Sequence, residues 1–245
     1  MNWYEAELIG QKAESPTVRR FWFKLKTEEP LPYLAGQFLT FDLPTGEKRK
    51  DRWRSYSIAN DFDGSNLIEL CISYLKGGLA SEYFFETINK GDLVKCKGPE
   101  GAFTLPDARD QALVLICTGT GIVPFRAMMQ DLEKNGNLPP SVHLIFGARK
   151  TKDILYHEEI MDWASYVPGF KASICLSRET KIPGNLKNLE YLSGYVHQAY
   201  LHSPAPAGNP LYMICGWTQV IDEVVANLVT KMGVGRSQIR FELFG

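Results

Sequence analysis

Ala112-Leu113-Val114-Leu115-Ile116-Cys117-Thr118-Gly119-Thr120-Gly121-Ile122-Val123-Pro124 decides the fold of half this chain. Its first six residues form an apolar run of the length and composition of a strand buried on both faces. Two glycines follow, free to let the backbone approach a ligand, and then a proline placed for the first turn of a helix. A strand that ends in such a turn and opens a helix aims backbone donors at whatever lies beyond it, and those donors attract a pyrophosphate. The spacing is not Gly-x-Gly-x-x-Gly. Taken alone, a plain strand-to-helix turn accounts for these residues equally well.

Toward the C terminus the same rhythm recurs. Apolar strand patterns at 112–117, 142–146, 170–176, 211–215 and 239–243 alternate with amphipathic helix patterns at 124–135, 156–166, 189–201 and 219–232. That alternation predicts a parallel sheet covered on both faces. Toward the N terminus the pattern changes to short β-branched and aromatic runs at 3–9, 18–25, 37–43, 52–58, 67–74 and 93–97, separated by turn residues such as Pro44-Thr45-Gly46 and Asn89-Lys90-Gly91-Asp92. Runs of this kind predict a closed antiparallel barrel. Only 80–88 has helical character in this half, and Gly77-Gly78 precedes it. The expected fold is therefore β plus α/β: a six-stranded antiparallel barrel over 1–106, then a parallel-sheet α/β domain over 107–245. The boundary is expected within 106–110, and 203–210 reads as a surface loop.

Composition narrows the function. The 245 residues are 44% apolar, enough for a sizeable core. A net charge of -1 offers no bulk attraction for nucleic acid or an anionic membrane. Glu5 and Glu7 stand where a targeting segment would need basic and then apolar residues, and no apolar stretch reaches the ~18 residues of a membrane span, so a cytoplasmic protein is expected. Cys71, Cys96, Cys117, Cys175 and Cys215 are widely spaced in apolar runs and read as buried thiols. None has the spacing of a zinc or iron-sulfur site. If electrons pass through this chain, an organic cofactor carries them.

Two further segments bear on that cofactor. In Arg54-Ser55-Tyr56-Ser57, strand alternation puts Arg54 and Tyr56 on one face and Ser55 and Ser57 on the other, unless the strand bends near Ser57. A guanidinium fork suits phosphate oxygens, a Tyr ring suits an isoalloxazine, and a Ser hydroxyl suits a ring nitrogen. An ordinary half-exposed barrel strand has the same composition. Lys76-Gly77-Gly78-Leu79-Ala80-Ser81 is a second glycine turn, whose amides from Gly78 to Ser81 could hold another pyrophosphate, with Ser81 as cap or ligand; Ser81 could equally cap only its own helix. Two phosphate-type helix starts, one in each half, fit a protein that holds two dinucleotides.

With these motifs in order, the chain resembles the ferredoxin/flavodoxin NADP reductase family. The resemblance runs through Arg54-Ser55-Tyr56-Ser57, Gly77-Gly78-Leu79-Ala80-Ser81, Gly98-Pro99-Glu100-Gly101-Ala102-Phe103, Gly119-Thr120-Gly121-Ile122-Val123-Pro124, Phe146-Gly147-Ala148-Arg149, Ser177-Arg178-Glu179, Cys215-Gly216 and Glu242-Leu243-Phe244. It implies an N-terminal FAD-binding barrel, a C-terminal NAD(P)-binding domain and an active site in the cleft between them. It further implies that Tyr56 stacks on the flavin, Arg54 binds its pyrophosphate and Ser57 sits near flavin N5, with Ser55, Gly78, Leu79, Ala80 and Ser81 completing the cofactor contacts. Thr118, Gly119, Thr120, Gly121, Arg149, Ser177, Arg178, Cys215 and Gly216 would bind the nicotinamide nucleotide. Cys215 marks where its ring arrives, Glu242 hydrogen-bonds near Ser57, and Phe244 covers the other flavin face, although Gly245 follows it. Ser57, Cys215 and Glu242 are thus the expected catalytic residues.

Ser177-Arg178 supplies a hydroxyl and a guanidinium for a 2′-phosphate, while Tyr195 stands where some relatives carry Arg. NADPH is the expected donor, with NADH possible. The electron acceptor implied is a separate ferredoxin or flavodoxin-like carrier, the enzyme a monomer, and FAD is favoured over FMN by resemblance. Lys48-Arg49-Lys50, with Arg52 behind it, reads either as a docking patch for an acidic carrier or as a solvated hairpin loop. Other readings are the reductase component of an oxygenase system, without the iron-sulfur domain such chains often carry, and a non-catalytic flavin/nucleotide redox sensor.

Overall fold

The computed structural model describes residues 2–106, 110–203 and 206–244. The chain forms two compact units: Met1–Leu105 with Val123–Asp131, and Pro106–Ile122 with Leu132–Gly245. Residue 107, where the second domain is expected to begin, lies outside the described residues, as do 204 and 205 of the expected loop and Gly245 after Phe244.

Unit 1 is built from β1 (Trp3–Ser15), β2 (Val18–Leu25), β3 (Phe38–Asp42), α1 (Arg49–Arg52), β4 (Trp53–Ser57), β5 (Leu67–Ser73), α2 (Leu79–Glu82) and β6 (Leu93–Glu100). The six strands form one antiparallel sheet in the order β4-β3-β6-β1-β2-β5. β2 shows why: Phe21, Phe23 and Leu25 are buried while Trp22 and Lys24 between them are not, which is the period of a strand with one face on a core. The sheet's two edges meet beyond β4, where Ala59 N–H donates to Glu69 O of β5 at 2.8 Å. The expected helix at 80–88 is α2 followed by a π-turn, Tyr83–Thr87. That turn buries Phe84 completely, with ring centroids 5.4 Å from Phe21 and 5.4 Å from Tyr56. The run Lys48-Arg49-Lys50 lies in the exposed connection between antiparallel β3 and β4, which contains the short helix α1.

Unit 2 carries β7 (Leu113–Thr118), most of its helices, β8 (Val142–Ala148), β9 (Phe170–Leu176), β10 (Leu189–Ser193), β11 (Leu211–Gly216) and β12 (Ile239–Leu243). Its helices are the end of α3 (Val123–Asn135), α4 (His157–Tyr166), α5 (His197–Tyr200) and α6 (Thr218–Thr230). The sheet is parallel throughout, in the order β10-β9-β8-β7-β11-β12. One expected element is corrected. Residues 189–201 do not form one helix, because β10 pairs with β9 over Leu189–Ser193 and only His197–Tyr200 is helical. Leu189 and Tyr191 alternate inward, and Gly194 at φ 104° ends the strand. Leu189, Leu192 and Val196 also fit a helical period, so a short apolar run was ambiguous until pairing settled it.

Candidate functional site

The sequence-predicted residues fall into two groups, one in each unit. In unit 2 they gather at the carboxyl ends of the parallel strands. β8, β9 and β10 lie to one side of β7, and β11 and β12 to the other. The crevice beyond the strand ends at such a reversal of order is where open α/β sheets take ligands. Thr118 ends β7 there, and Gly119, Thr120 and Gly121 form a tight 3-10 turn into α3.

Gly121 cannot be another residue without a rearrangement. A Cβ at this position would lie 2.3 Å from the Cys215 carbonyl oxygen, so the glycine turn rests directly on the end of β11. Gly216 follows at φ 154°, and a Cβ on it would meet Thr118 Oγ1 at 3.1 Å. Cys215 itself is fully buried, in register with Cys117 on one side and Glu242 on the other. Burial pushes its thiol far above the ordinary range, and the Glu242 carboxylate and Cys117 push it the same way. A thiol in that environment stays neutral and serves as a small, polarizable wall. Phe244 is half-buried, and its N–H donates to Gly216 O at 2.9 Å, tying the end of the chain to the same strand end.

Farther along the same edge, Arg149 and Arg178 are exposed just beyond β8 and β9. Ser177 N–H donates to Ala148 O at 3.1 Å and Arg178 N–H to Arg149 O at 2.8 Å, so the two chains run on side by side past the ladder. Glu179 turns back, accepting from Thr151 N–H and Oγ1 at 2.9 Å each, and these hydrogen bonds hold its carboxyl below the usual range. The two guanidiniums and the Ser177 hydroxyl therefore share one rim. Tyr195, 66% exposed, lies beyond the end of β10.

In unit 1 the group is built on β4 and on the turn into α2. Register places Arg54 opposite Phe41 and Tyr56 opposite Leu39, both core residues, and Ser55 opposite Thr40. Tyr56 is half-buried and meets Phe84 and Phe41 edge-on, at interplanar angles of 88° and 67°; neither contact is a parallel stack. Burial pushes its phenol above the ordinary value. Arg54 is anchored through Nη1, which donates to Lys50 O at 2.6 Å and Trp53 O at 2.7 Å. Those bonds leave Nε and Nη2 of the fork without a protein acceptor among the described residues. Ser55 is exposed and shares a hydrogen bond of 2.9 Å with Thr40. Ser57 is buried, at 7% exposure, where the chain leaves the ladder.

At the glycine turn, Gly78 rather than Ser81 occupies the N-cap, and Leu79 is largely exposed beside buried Ala80. The Ser81 hydroxyl is engaged inside the loop: it accepts from Leu75 N–H at 3.0 Å and lies 2.9 and 3.0 Å from the carbonyls of Leu75 and Gly78. It closes the loop, so any anion contact at this turn falls to the backbone. The contact of Phe84 with Tyr56 brings this turn against β4, as a site shared by the two segments requires.

Two charged residues escaped the sequence reading. Glu69 and Arg126 are 4% and 5% exposed, and Arg126 Nη1 lies 3.2 Å from Glu69 Oε2. Each sits in an otherwise apolar run, Leu-Ile-Glu-Leu-Cys-Ile and Val-Pro-Phe-Arg-Ala-Met-Met. A lone charge in a buried run needs an opposite charge elsewhere, and that was the available signal. Among the described residues no cluster of His, Cys, Asp or Glu could hold a metal ion, and no helix is long and apolar enough to cross a membrane.

Comparison with known proteins matches residues 5–105 to an oxidoreductase FAD-binding domain and residues 115–226 to an oxidoreductase NAD-binding domain. Ferredoxin–NADP reductase B of Sorangium cellulosum is 30% identical, across 98% of this chain and 97% of its own length. The toluate 1,2-dioxygenase electron transfer component of Pseudomonas putida is 27% identical, across 98% of this chain and 67% of its own. Among solved structures, the Amycolatopsis cytochrome P450 reductase GcoB superposes with a TM-score of 0.85 at 25% identity, covering 99% of this chain and 70% of that one. A ferredoxin NADP+ reductase from Neisseria gonorrhoeae, with FAD and NADP bound, has the same fold, with a TM-score of 0.77 at 21% identity and 99% of both chains covered.

Proposed function

Because this chain belongs to the ferredoxin–NADP reductase family of FAD- and NAD-binding oxidoreductases, we propose that it oxidises NADPH at a flavin and passes the electrons to a separate small carrier. FAD, when bound, accepts two electrons as a hydride and releases them singly. The protein's own residues hold and orient the reactants. In unit 1, Tyr56 offers a ring with no parallel partner among the described residues, Arg54 would give its remaining donors to a pyrophosphate, and Ser57, at the strand end, would serve a ring nitrogen; Ser55, Gly78, Leu79, Ala80 and Ser81 would complete the cradle. In unit 2, Thr118, Gly119, Thr120 and Gly121 present backbone donors to the nucleotide pyrophosphate. Cys215 and Gly216 leave room for the nicotinamide, Glu242 lies alongside Cys215, and Phe244 is tied to the same strand end. Hydride transfer between the bound groups would depend on how these residues orient them and exclude water. We assign the flavin to residues 1–106 and the nucleotide to 107–245.

The observation that carries this reading is the 2.3 Å approach that would befall a Cβ on Gly121. It joins a phosphate-type helix start to the strand end where a small, neutral Cys215 waits. Arg149, Ser177 and Arg178 on one rim support NADPH over NADH. A carrier with an acidic surface is supported by a basic and aromatic patch that is exposed at Arg49 and Trp3 and partly buried at Trp53 and Lys97. Arg49 lies over the Trp53 ring at 3.9 Å and Lys97 over the same ring at 4.7 Å, while Trp3 packs edge-on against Trp53 at 5.1 Å. Arg52 is taken up by Asp42, leaving exposed Lys48, Arg49 and Lys50 to face the partner. The similarity to the toluate dioxygenase component favours a second reading in which that carrier serves an oxygenase.

The test is to release and identify the cofactor of the purified protein, then titrate the holoprotein anaerobically with NADPH and NADH. Rapid bleaching of the flavin and turnover with an added ferredoxin or flavodoxin are expected. A flavin that neither nucleotide bleaches would leave a sensor and overturn the enzyme.

A further inference from the structure

We propose that Arg126 is a positioning residue for Ser57, acting through the four residues that continue β4. The inference rests on the reading that Ser57 faces the flavin. Arg126 belongs to a stretch, 123–129, in which every residue is buried. Its Nη1 donates to Ala59 O at 2.7 Å and reaches Glu69 Oε2 at 3.2 Å. Glu69 is held in turn by Arg20, Nε to Oε1 at 2.6 Å and Nη2 to Oε2 at 3.0 Å. One turn farther along α3, Gln130 Oε1 accepts from Asp61 N–H at 3.1 Å.

The rest of this segment is gripped just as closely. Ile58 N–H donates to Gln37 O at 2.9 Å and Ala59 N–H to Glu69 O at 2.8 Å, while Asn60 Oδ1 accepts from Glu69 N–H at 2.8 Å. A buried ion pair alone would need only the carboxylate. Arg126 also takes the carbonyl two residues past Ser57, and one nitrogen, Nη1, with its two N–H donors serves both the carbonyl and the carboxylate. The backbone from Ser57 to Asp61 is thus fixed from α3 on one side and β5 on the other. Ser57 is the last ladder residue before this clamp, so the backbone that carries its side chain is held by it.

The test is a double-mutant cycle between Arg126→Met and Ser57→Ala in the FAD-loaded protein, with Arg126→Lys as the conservative variant. The readouts are the limiting rate of flavin reduction by NADPH, the nucleotide Kd and the visible circular dichroism of the bound flavin. Arg126→Met is expected to slow flavin reduction about tenfold with Kd changed less than about twofold, to alter the flavin dichroism, and to be partly rescued by Lys. In the Ser57→Ala background the same change should cost less than about twofold, because the residue it positions is gone. Equal losses in both backgrounds, or an unchanged rate, would overturn the proposal. If Arg126→Met does not fold, Gln130→Ala releases Asp61 alone and is read through the same cycle, with about threefold expected in the wild-type background and none beside Ser57→Ala. A wild-type protein that reduces its flavin normally while the cycle is multiplicative sinks this inference only. One whose flavin no nucleotide reduces sinks the enzymatic reading and this inference with it.

Discussion

The two six-stranded sheets of this protein place their candidate residues in opposite ways. In the parallel sheet, Thr118, Arg149, Ser177, Cys215 and Glu242 all lie at or just past the carboxyl end of a strand, so one edge collects them regardless of which way each side chain points. In the antiparallel sheet, neighbouring strands end at opposite edges. There the site depends on which face of β4 a residue occupies and on a separate turn, 77–87, that folds against it. A parallel sheet makes a site by where strands stop, an antiparallel one by which face they show.

The largest expected effect tests the strand-end packing. Gly121→Val should destabilise unit 2 by roughly 3 kcal/mol or more, because its Cβ has no room against the Cys215 carbonyl and the backbone must move. Denaturant unfolding that leaves unit 2 as stable as before would remove the close approach from the account.

Acid should also separate the units. All four histidines, at 143, 157, 197 and 202, fall in unit 2. Burial pushes His143 down to about 3, and it stays neutral in a hydrogen bond of 2.7 Å to Ser173 Oγ. The unfolded imidazole binds a proton below about 6.5, so this group's stabilisation is present above that pH and is lost as pH falls toward 3. The loss is roughly 1.4 kcal/mol per unit over that window. Acid titration followed by hydrogen exchange should show the parallel sheet opening first, and simultaneous opening of both sheets would count against this.

Next is the rim beyond β9. Arg178→Ala should lower the NADPH to NADH ratio of kcat/KM by about ten- to a hundredfold, the value of one charged hydrogen bond to a 2′-phosphate. An unchanged ratio would take Arg178 out of nucleotide selection. Smaller still, Cys215→Ala should leave a folded, flavin-bound protein whose flavin is reduced about tenfold more slowly in stopped-flow measurements, since the seat proposed for the nicotinamide ring would be loosened but not removed. An unaltered rate would reduce Cys215 to packing. Least of all, added salt should erode turnover with an acidic carrier while leaving flavin reduction by NADPH unchanged, as expected if Lys48, Arg49 and Lys50 steer only the partner.

Much of this was legible in the chain. The strands at 18–25, 170–176 and 239–243 stand where their apolar patterns put them, because side-chain period and β-branched content are local properties. The strand at 189–193 was misread as helix because five residues carry too little period to choose, and its pairing with β9 decided. Ser81 was read as a cap or ligand because its spacing suits either, yet its hydroxyl is spent on the loop it closes. Glu69 lies 49 residues from Arg20 and 57 from Arg126, and only folding shows that the carboxylate pairs with both guanidiniums.

By itself the sequence determined two successive halves, one alternating as strands and the other as strands and helices. It also determined a glycine turn ahead of α2 and of α3, and the residues whose chemistry suits a flavin and a nicotinamide nucleotide. Periodicity and turn chemistry act over a few residues, so they survive in a linear reading. Only the tertiary structure decided that the order of the parallel strands reverses between β7 and β11, that Gly121 rests on the Cys215 carbonyl, and that a buried arginine of α3 grips the chain just past Ser57. Those facts depend on contacts between segments far apart in the chain, and close packing settles them all at once.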